Sequence, residues 1–236
     1  MKIEHINNNQ QSFGLKCQTH RFLTAKTVKD ADIFSGENLK DFLYYVQKPD
    51  FDETGLKIFG KPTCNNHFFY PEQTFRPRLS HLDFYGQNNA FARYMYHIIK
   101  MFSSMKKSDI DGQIEHAARA KHFLDDMSVG LHVERGTVLK KYKEQKVHKD
   151  FETYIFENQD TFAKNHTSSE LQKNHRSFKD LFMDTVQISL KTELPAENNK
   201  DRWKNIAQKT VDINMDSSNE FFKLLKHYNL PVIENK

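Results

Sequence analysis

From Thr137 to Lys236 the chain contains no glycine, and Pro195 and Pro231 are its only prolines there. Glycine takes up positive φ without steric cost, so so long a stretch without it makes few tight turns. A few long helices joined by simple connections are the expected outcome. The predicted fold class is mainly α: a helical bundle of about seven helices, with an irregular aromatic-rich segment and a few short strands in the N-terminal half.

Apolar stripes at helical spacing support this. Leu39, Phe42, Leu43 and Val46 form one, and Phe91, Met95, Ile98, Phe102 and Met105 another. Ser108 and Asp111 read as the cap and first-turn acid of a helix carrying Ile114, Ala117, Ala118, Leu124 and Met127. Thr137 to Ala163 reads as a long, highly charged helix. Thr167-Ser168-Ser169-Glu170 has the form of a capping box opening a helix with Leu171, Phe178, Leu181, Phe182 and Ile188. Pro195 suits the start of a further helix containing Trp203, Ile206 and Val211. Ser217-Ser218-Asn219-Glu220 reads as a second box, opening a last helix. Phe13, Leu15 and Cys17 alternate with polar residues, as in a short strand. Residues 49–88 have no helical period, and short strands are expected at 56–59, 66–70 and 80–85.

Residues 1–11 are too polar to fold alone and read as a mobile leader. Residues 12–236 read as one helical domain with a sub-boundary near 128–137. Twenty phenylalanines and nine tyrosines predict an aromatic core. Cys17 and Cys64, the only cysteines, make no disulfide framework or metal motif, which points to a reducing, cytoplasmic setting. The alternative is export by a route without a cleaved signal peptide, since the N-terminus lacks an apolar core region. The Asn/Gln-rich start running into Phe13-Gly14 resembles the polar leaders of some bacterial effectors. No run is apolar and long enough for a membrane span. The net charge of +4 is spread over interspersed signs, which argues against nucleic acid as a partner.

The richest polar cluster is Arg76, Arg78, Ser80, His81 and Asp83. Arg76 and Arg78, with Arg93 on the following helix, could fork onto an anionic ligand, and His81, paired with Asp83, or His97 could move a proton. Glu115, Arg119, His122 and Asp126 share one helix face, and the acid–base alternation there reads as a solvated, salt-bridged surface. No His-Glu-x-x-His or Glu-x-x-His motif occurs in that region, and the twelve histidines are scattered, so no metal or other cofactor is expected. Phosphate-cradling glycine loops and the serine-hydrolase elbow are absent too. The reading that follows is a non-enzymatic helical protein-interaction module, effector-like, with another protein as its partner. The alternative is an enzyme or binder acting on a phosphorylated or anionic small ligand through Arg76, Arg78 and Arg93.

Overall fold

In a computed structural model of the chain, the residues described are 17–53, 57–58, 61–62, 65–69, 89–133 and 138–230. The mainly helical class read from the glycine-free half is the one observed. Helix α1 spans Cys17–Ala31, α2 Gly36–Tyr45, α3 Pro49–Asp52, α4 Ala90–Lys106 and α5 Ile110–Asp126. Then come α6 Gly130–Val133, α7 Val138–Lys164, α8 Phe178–Leu190 and α9 Trp203–His227, with 3-10 turns at Asn65–His67 and Glu197–Arg202. Strands β1 (Lys57–Ile58) and β2 (Lys61–Pro62) form a minimal antiparallel pair, Lys57 facing Pro62 and Ile58 facing Lys61.

Helix α5 is central and packs on α4, α2 and α9. Ala117, Ala118 and Ala120 are fully buried on it, and small side chains let neighbouring axes come close. Its last two turns are buried on every side, from Ala120 through Asp126. That is unusual for a stretch containing Lys121, His122, Asp125 and Asp126, and it is what places the site described below.

Two aromatic clusters hold the helices. In one, the Phe182 ring of α8 meets Phe69, Phe91 and Tyr94 with centroids 5.4, 5.2 and 5.0 Å away. The Tyr94 hydroxyl, buried with its ring, donates to the Phe178 carbonyl at 3.0 Å. In the other, Trp203 packs edge-on against Phe151 at 5.5 Å, and its indole N–H donates to the Ala196 carbonyl at 3.0 Å. Leu23, Ile155, Phe162 and Val211 complete that cluster.

Several boundaries differ from the sequence expectation, each for a local reason. The Thr167–Glu170 box opens no helix. Thr167 Oγ1 donates instead to Asp212 at 2.8 Å, and Ser169 N and Oγ both donate to Asp216, so α9 captures this segment as a loop. Helix α8 starts later, capped by Ser177 Oγ accepting from Asp180 N at 3.1 Å. The Ser217–Glu220 box is buried inside α9, where Ser217 and Ser218 bond back to the Asn214 carbonyl at 3.0 and 2.6 Å. The cap of α5 is Asp109 rather than Ser108, accepting from Gly112 N at 3.0 Å. Of the strands expected, that at 66–70 is replaced by the 3-10 turn. Those at 13–17 and 80–85 fall largely or wholly outside the described residues, as does the leader at 1–11.

Phe182 touches three rings, two from α4 and one from the segment after the first 3-10 turn, so Phe182→Ala should lower the free energy of unfolding by about 3–5 kcal/mol. A urea titration reads this as an earlier midpoint. A loss below about 1 kcal/mol would mean that the ring is not an anchor of the core.

Candidate metal centre

Six segments deliver histidines and carboxylates to one end of α5. Residues four apart on a helix lie on the same face, so α5 presents His122 and Asp126 together and α7 presents His148 and Glu152 together. His20 comes from α1, Asp50 from α3, His67 from the first 3-10 turn and His132 from α6. Proline at the first position of α3 fixes φ just before Asp50.

The hydrogen bonds set the orientation of two rings. His122 Nδ1 lies 2.9 Å from the Val46 carbonyl. A carbonyl only accepts, so Nδ1 carries the proton and the neutral ring keeps a bare Nε2. That nitrogen faces His67 Nδ1 at 3.2 Å, Asp126 Oδ2 at 3.4 Å and Asp50 Oδ1 at 3.7 Å. The His20 ring lies 4.2 Å from the His122 ring, with its Nε2 3.5 Å from Asp126 Oδ1. In the same way His132 Nδ1 donates to the His67 carbonyl at 2.6 Å, leaving its Nε2 bare. This second bare nitrogen faces His148 Nε2 at 3.0 Å and Glu152 Oε1 at 3.6 Å, and His148 Nε2 is 2.8 Å from Glu152 Oε1. Phe68 stacks on His132 with centroids 4.7 Å apart.

These groups are almost wholly out of solvent, His148 being the most exposed at 12%. Burial lowers the His20 pKa, but Asp125 and Asp126 outweigh it and raise the ring to about 10. Burial raises Asp50 to about 7, against the pull of His20 and His67. Burial also opposes ionisation of Asp126, yet the surrounding rings, His122 and His67 foremost, hold it well below the usual carboxylate range. His122 is pushed well below the usual imidazole range by burial and by charge on His20. Glu152 is lowered by His148 and His132 in spite of its burial. The carboxylates call for positive charge, and protonated rings supply it in the free protein.

Three sets of ligand atoms, each within 4.8 Å of one another, are formed by His20/Asp50/His122, His67/His122/Asp126 and His132/His148/Glu152. His122 has one bare nitrogen for two of these sets, so they make a single shared pocket beside the third. The atoms facing inward are poorly hydrogen-bonded. His20 Nε2, both Asp50 oxygens and Asp126 Oδ1 are buried with no hydrogen-bond partner. Buried polar atoms without partners are costly, and converging lone pairs repel unless a cation lies between them. A donor set of imidazole nitrogens and carboxylate oxygens suits zinc and similar divalent ions, so the residues fit a metal.

A shell of charge holds the scaffold behind this centre. Arg119 grips Asp52 with two bonds of 2.8 Å, and also bonds to Glu53 at 2.7 Å and Glu115 at 2.8 Å. His97 Nε2 lies 2.9 and 3.0 Å from the two Glu53 oxygens, and Asn66 Nδ2 donates to the Glu53 carbonyl at 3.0 Å. Glu53 thus ties the Asp50 helix and the His67 turn to α4 and α5.

The candidates named from sequence come out differently. Arg93 and His97 do converge, but on Glu53, with Arg93 Nη1 3.8 Å from its carboxylate, rather than on an open anion site. Arg76, Arg78, His81 and Asp83 lie outside the described residues. The solvated-face reading holds for Glu115 and Arg119 only in part, since Arg119 is 11% exposed, and fails for His122 and Asp126, which are fully buried. His20, Asp50, His67, His132, His148 and Glu152 lie outside the site expected from sequence. The available signal was His-x-x-x-Asp at 122–126 and His-x-x-x-Glu at 148–152, two helical pairs at ligand spacing.

No known protein family and no curated protein matches the sequence. Solved structures that share the fold include two alpha toxins. The alpha toxin from Clostridium absonum superposes with a TM-score of 0.65 at 14% identity, over 96% of this chain and 67% of that one. The alpha-toxin of Clostridium perfringens from the avian strain SWCP gives a TM-score of 0.67 at 14% identity, over 94% of this chain and 65% of that one. The chain therefore spans about two thirds of the length of these toxins. These findings run against the expectation of a non-enzymatic interaction module: the fold is one that two alpha toxins share, and its centre is a buried cluster of ionisable groups that a scaffold has no need to build.

Glu53 gives a test of the supporting shell. Burial opposes its ionisation, but His97 and Arg119 prevail and bring its pKa to about 2, from an ordinary 4.5. A depressed carboxylate contributes stability that is present above its unfolded pKa and lost as pH falls through the folded one. Between wild type and Glu53→Gln, the gap in melting temperature should be full above pH ~4.5 and close as pH approaches ~2. An equal gap at every pH would remove Glu53 from the network.

Proposed function

We propose that this protein is a metal-dependent hydrolase of phosphate esters, acting at the end of α5. The observation that carries this reading is the convergence of ligand atoms from six segments around the bare Nε2 of His122 and of His132, among them His20 Nε2, both Asp50 oxygens and Asp126 Oδ1 buried without a hydrogen-bond partner. His20, Asp50, His67, His122 and Asp126 would hold metal in the shared pocket, and His132, His148 and Glu152 in the pocket beside it. Divalent cations grouped in one site supply Lewis acidity, neutralising the phosphoryl oxygens and lowering the pKa of a bound water.

The chain's own residues do the rest. Val46 and the His67 carbonyl hold the protons of His122 and His132 on Nδ1, so both rings offer Nε2 inward. Asp126 joins the two sides of the shared pocket, with one oxygen toward His20 and the other toward His67 and His122. Asp50 has both oxygens free of hydrogen bonds, so one can ligate while the other accepts the proton of the attacking water. Phe68, stacked on His132, and Phe123, beside His67 and His97, wall the rings with apolar surface and keep the local dielectric low.

Phosphate-ester chemistry keeps the anionic-ligand alternative read from sequence, with the cationic groups relocated from arginines to metal. Among phosphodiesters we single out membrane phospholipids for assay, because both alpha-toxin structures described above are of toxins. Export rather than cytoplasmic retention fits that reading. Among the described residues no helix is long and apolar enough to cross a membrane.

The purified protein, loaded with zinc and dialysed, should retain two or more zinc ions per chain by elemental analysis. It should hydrolyse at least one of p-nitrophenyl phosphate, bis(p-nitrophenyl) phosphate, p-nitrophenyl phosphorylcholine and phosphatidylcholine vesicles. Asp126→Asn should reduce the rate on the order of 10²-fold or more, with a matching loss of zinc. Retention of no zinc, or turnover unchanged by 1,10-phenanthroline, would end the proposal.

A further inference from the structure

Two adjacent aspartates close α5 and do opposite things. Successive residues on a helix point about 100° apart, so only one of them can face the metal pocket. Asp126 does. Asp125 turns toward α1, where its Oδ2 lies 3.2 Å from His20 Nδ1, and its Oδ1 is taken by the ammonium of Lys121 one turn earlier. Lys121 and Asp125 are both 0% exposed. A buried ammonium needs a partner, and among the described residues Asp125 is the one Lys121 has.

The arrangement assigns the two ring nitrogens of His20. One Asp125 oxygen accepts from the Lys121 ammonium and the other faces His20, where it accepts from Nδ1 and so holds the ring proton there. The opposite nitrogen, Nε2, points at Asp126, Asp50 and His122 and has no hydrogen-bond partner. Carboxylates standing behind metal-ligating imidazoles act in this way: they fix the tautomer and the plane of the ring. Lys121 adds a second effect. It occupies the oxygen with which Asp125 could otherwise compete for cation, and it cancels a buried negative charge next to the pocket.

We infer that Lys121 and Asp125 form a buried ion pair that positions His20, presenting its Nε2 to the metal and holding Asp125 itself out of the ligand set. Neither residue is a ligand, and both act through His20. The inference rests on the metal reading above.

The test uses the full-length, zinc-loaded protein. Long-range proton–nitrogen correlation of ¹⁵N-histidine-labelled wild type, assigned with His20→Gln, should show His20 protonated at Nδ1 and zinc-bound at Nε2. The reverse assignment, or an unbound ring, overturns the inference. The double variant Lys121→Met/Asp125→Leu removes both charges together and keeps the volume apolar, so it should melt near or above the wild type. In competition with a chromophoric chelator it should bind one zinc about 10–100-fold more weakly, with the zinc at His132, His148 and Glu152 unchanged. A well-folded double variant with wild-type affinity at every site shows the pair to be packing only and sinks the idea. Wild type that takes up no zinc fails the metal reading itself, a different result. If the double variant does not fold, the histidine spectrum of the wild type still decides.

Discussion

The structure depends on keeping Asp50, Asp126 and Glu152 away from water among imidazoles. An ionised carboxylate in a low-dielectric interior is strongly unfavourable unless positive charge is close by, and here that charge must come from rings or from a bound cation. Everything around the centre serves this requirement. The alanines of α5 allow close packing that excludes solvent, the aromatic clusters fasten α1, α7, α8 and α9 around it, and the Glu53–Arg119 network fixes α3 from behind. The folding energy of the apolar clusters offsets the cost of the polar centre, an exchange expected where a protein builds a site rather than a core.

The likeness to the two alpha toxins and the buried cluster are independent observations. One concerns the path of the backbone and the other the chemistry at its centre. At 14% identity the shared feature is architecture, and the reading of the chemistry rests on this chain's own atoms. The polar centre lies at the junction of six segments at the end of α5, and residues 49–88 contribute Asp50 and His67 to it.

The sequence carried the fold class well, because periodicity and the missing glycines are local signals. It carried α4, α5 and α7 nearly to their ends. It failed where a side chain had a tertiary use that outweighed its local one. Ser217 and Ser218 look like a cap but sit mid-helix, where their hydroxyls have the Asn214 carbonyl, and Thr167 and Ser169 look like a cap but are held by Asp212 and Asp216. The centre was harder still. His20 meets Asp125 across 105 positions and His67 meets Asp126 across 59, separations at which spacing carries no information. Only the pairs at 122–126 and 148–152 were legible. Neither pair has Glu-x-x-His spacing, and interspersed charges on α5 make its deepest face look like its wettest.

His67 serves both pockets at once. Its ring belongs to one, at 2.8 Å from Asp126, while its carbonyl steers His132 in the other. A single residue thus bridges the neighbouring ligand sets, with its side chain in one and its backbone carbonyl behind the other. Any displacement of residues 65–69 is felt on both sides together, so the centre behaves as one mechanical unit.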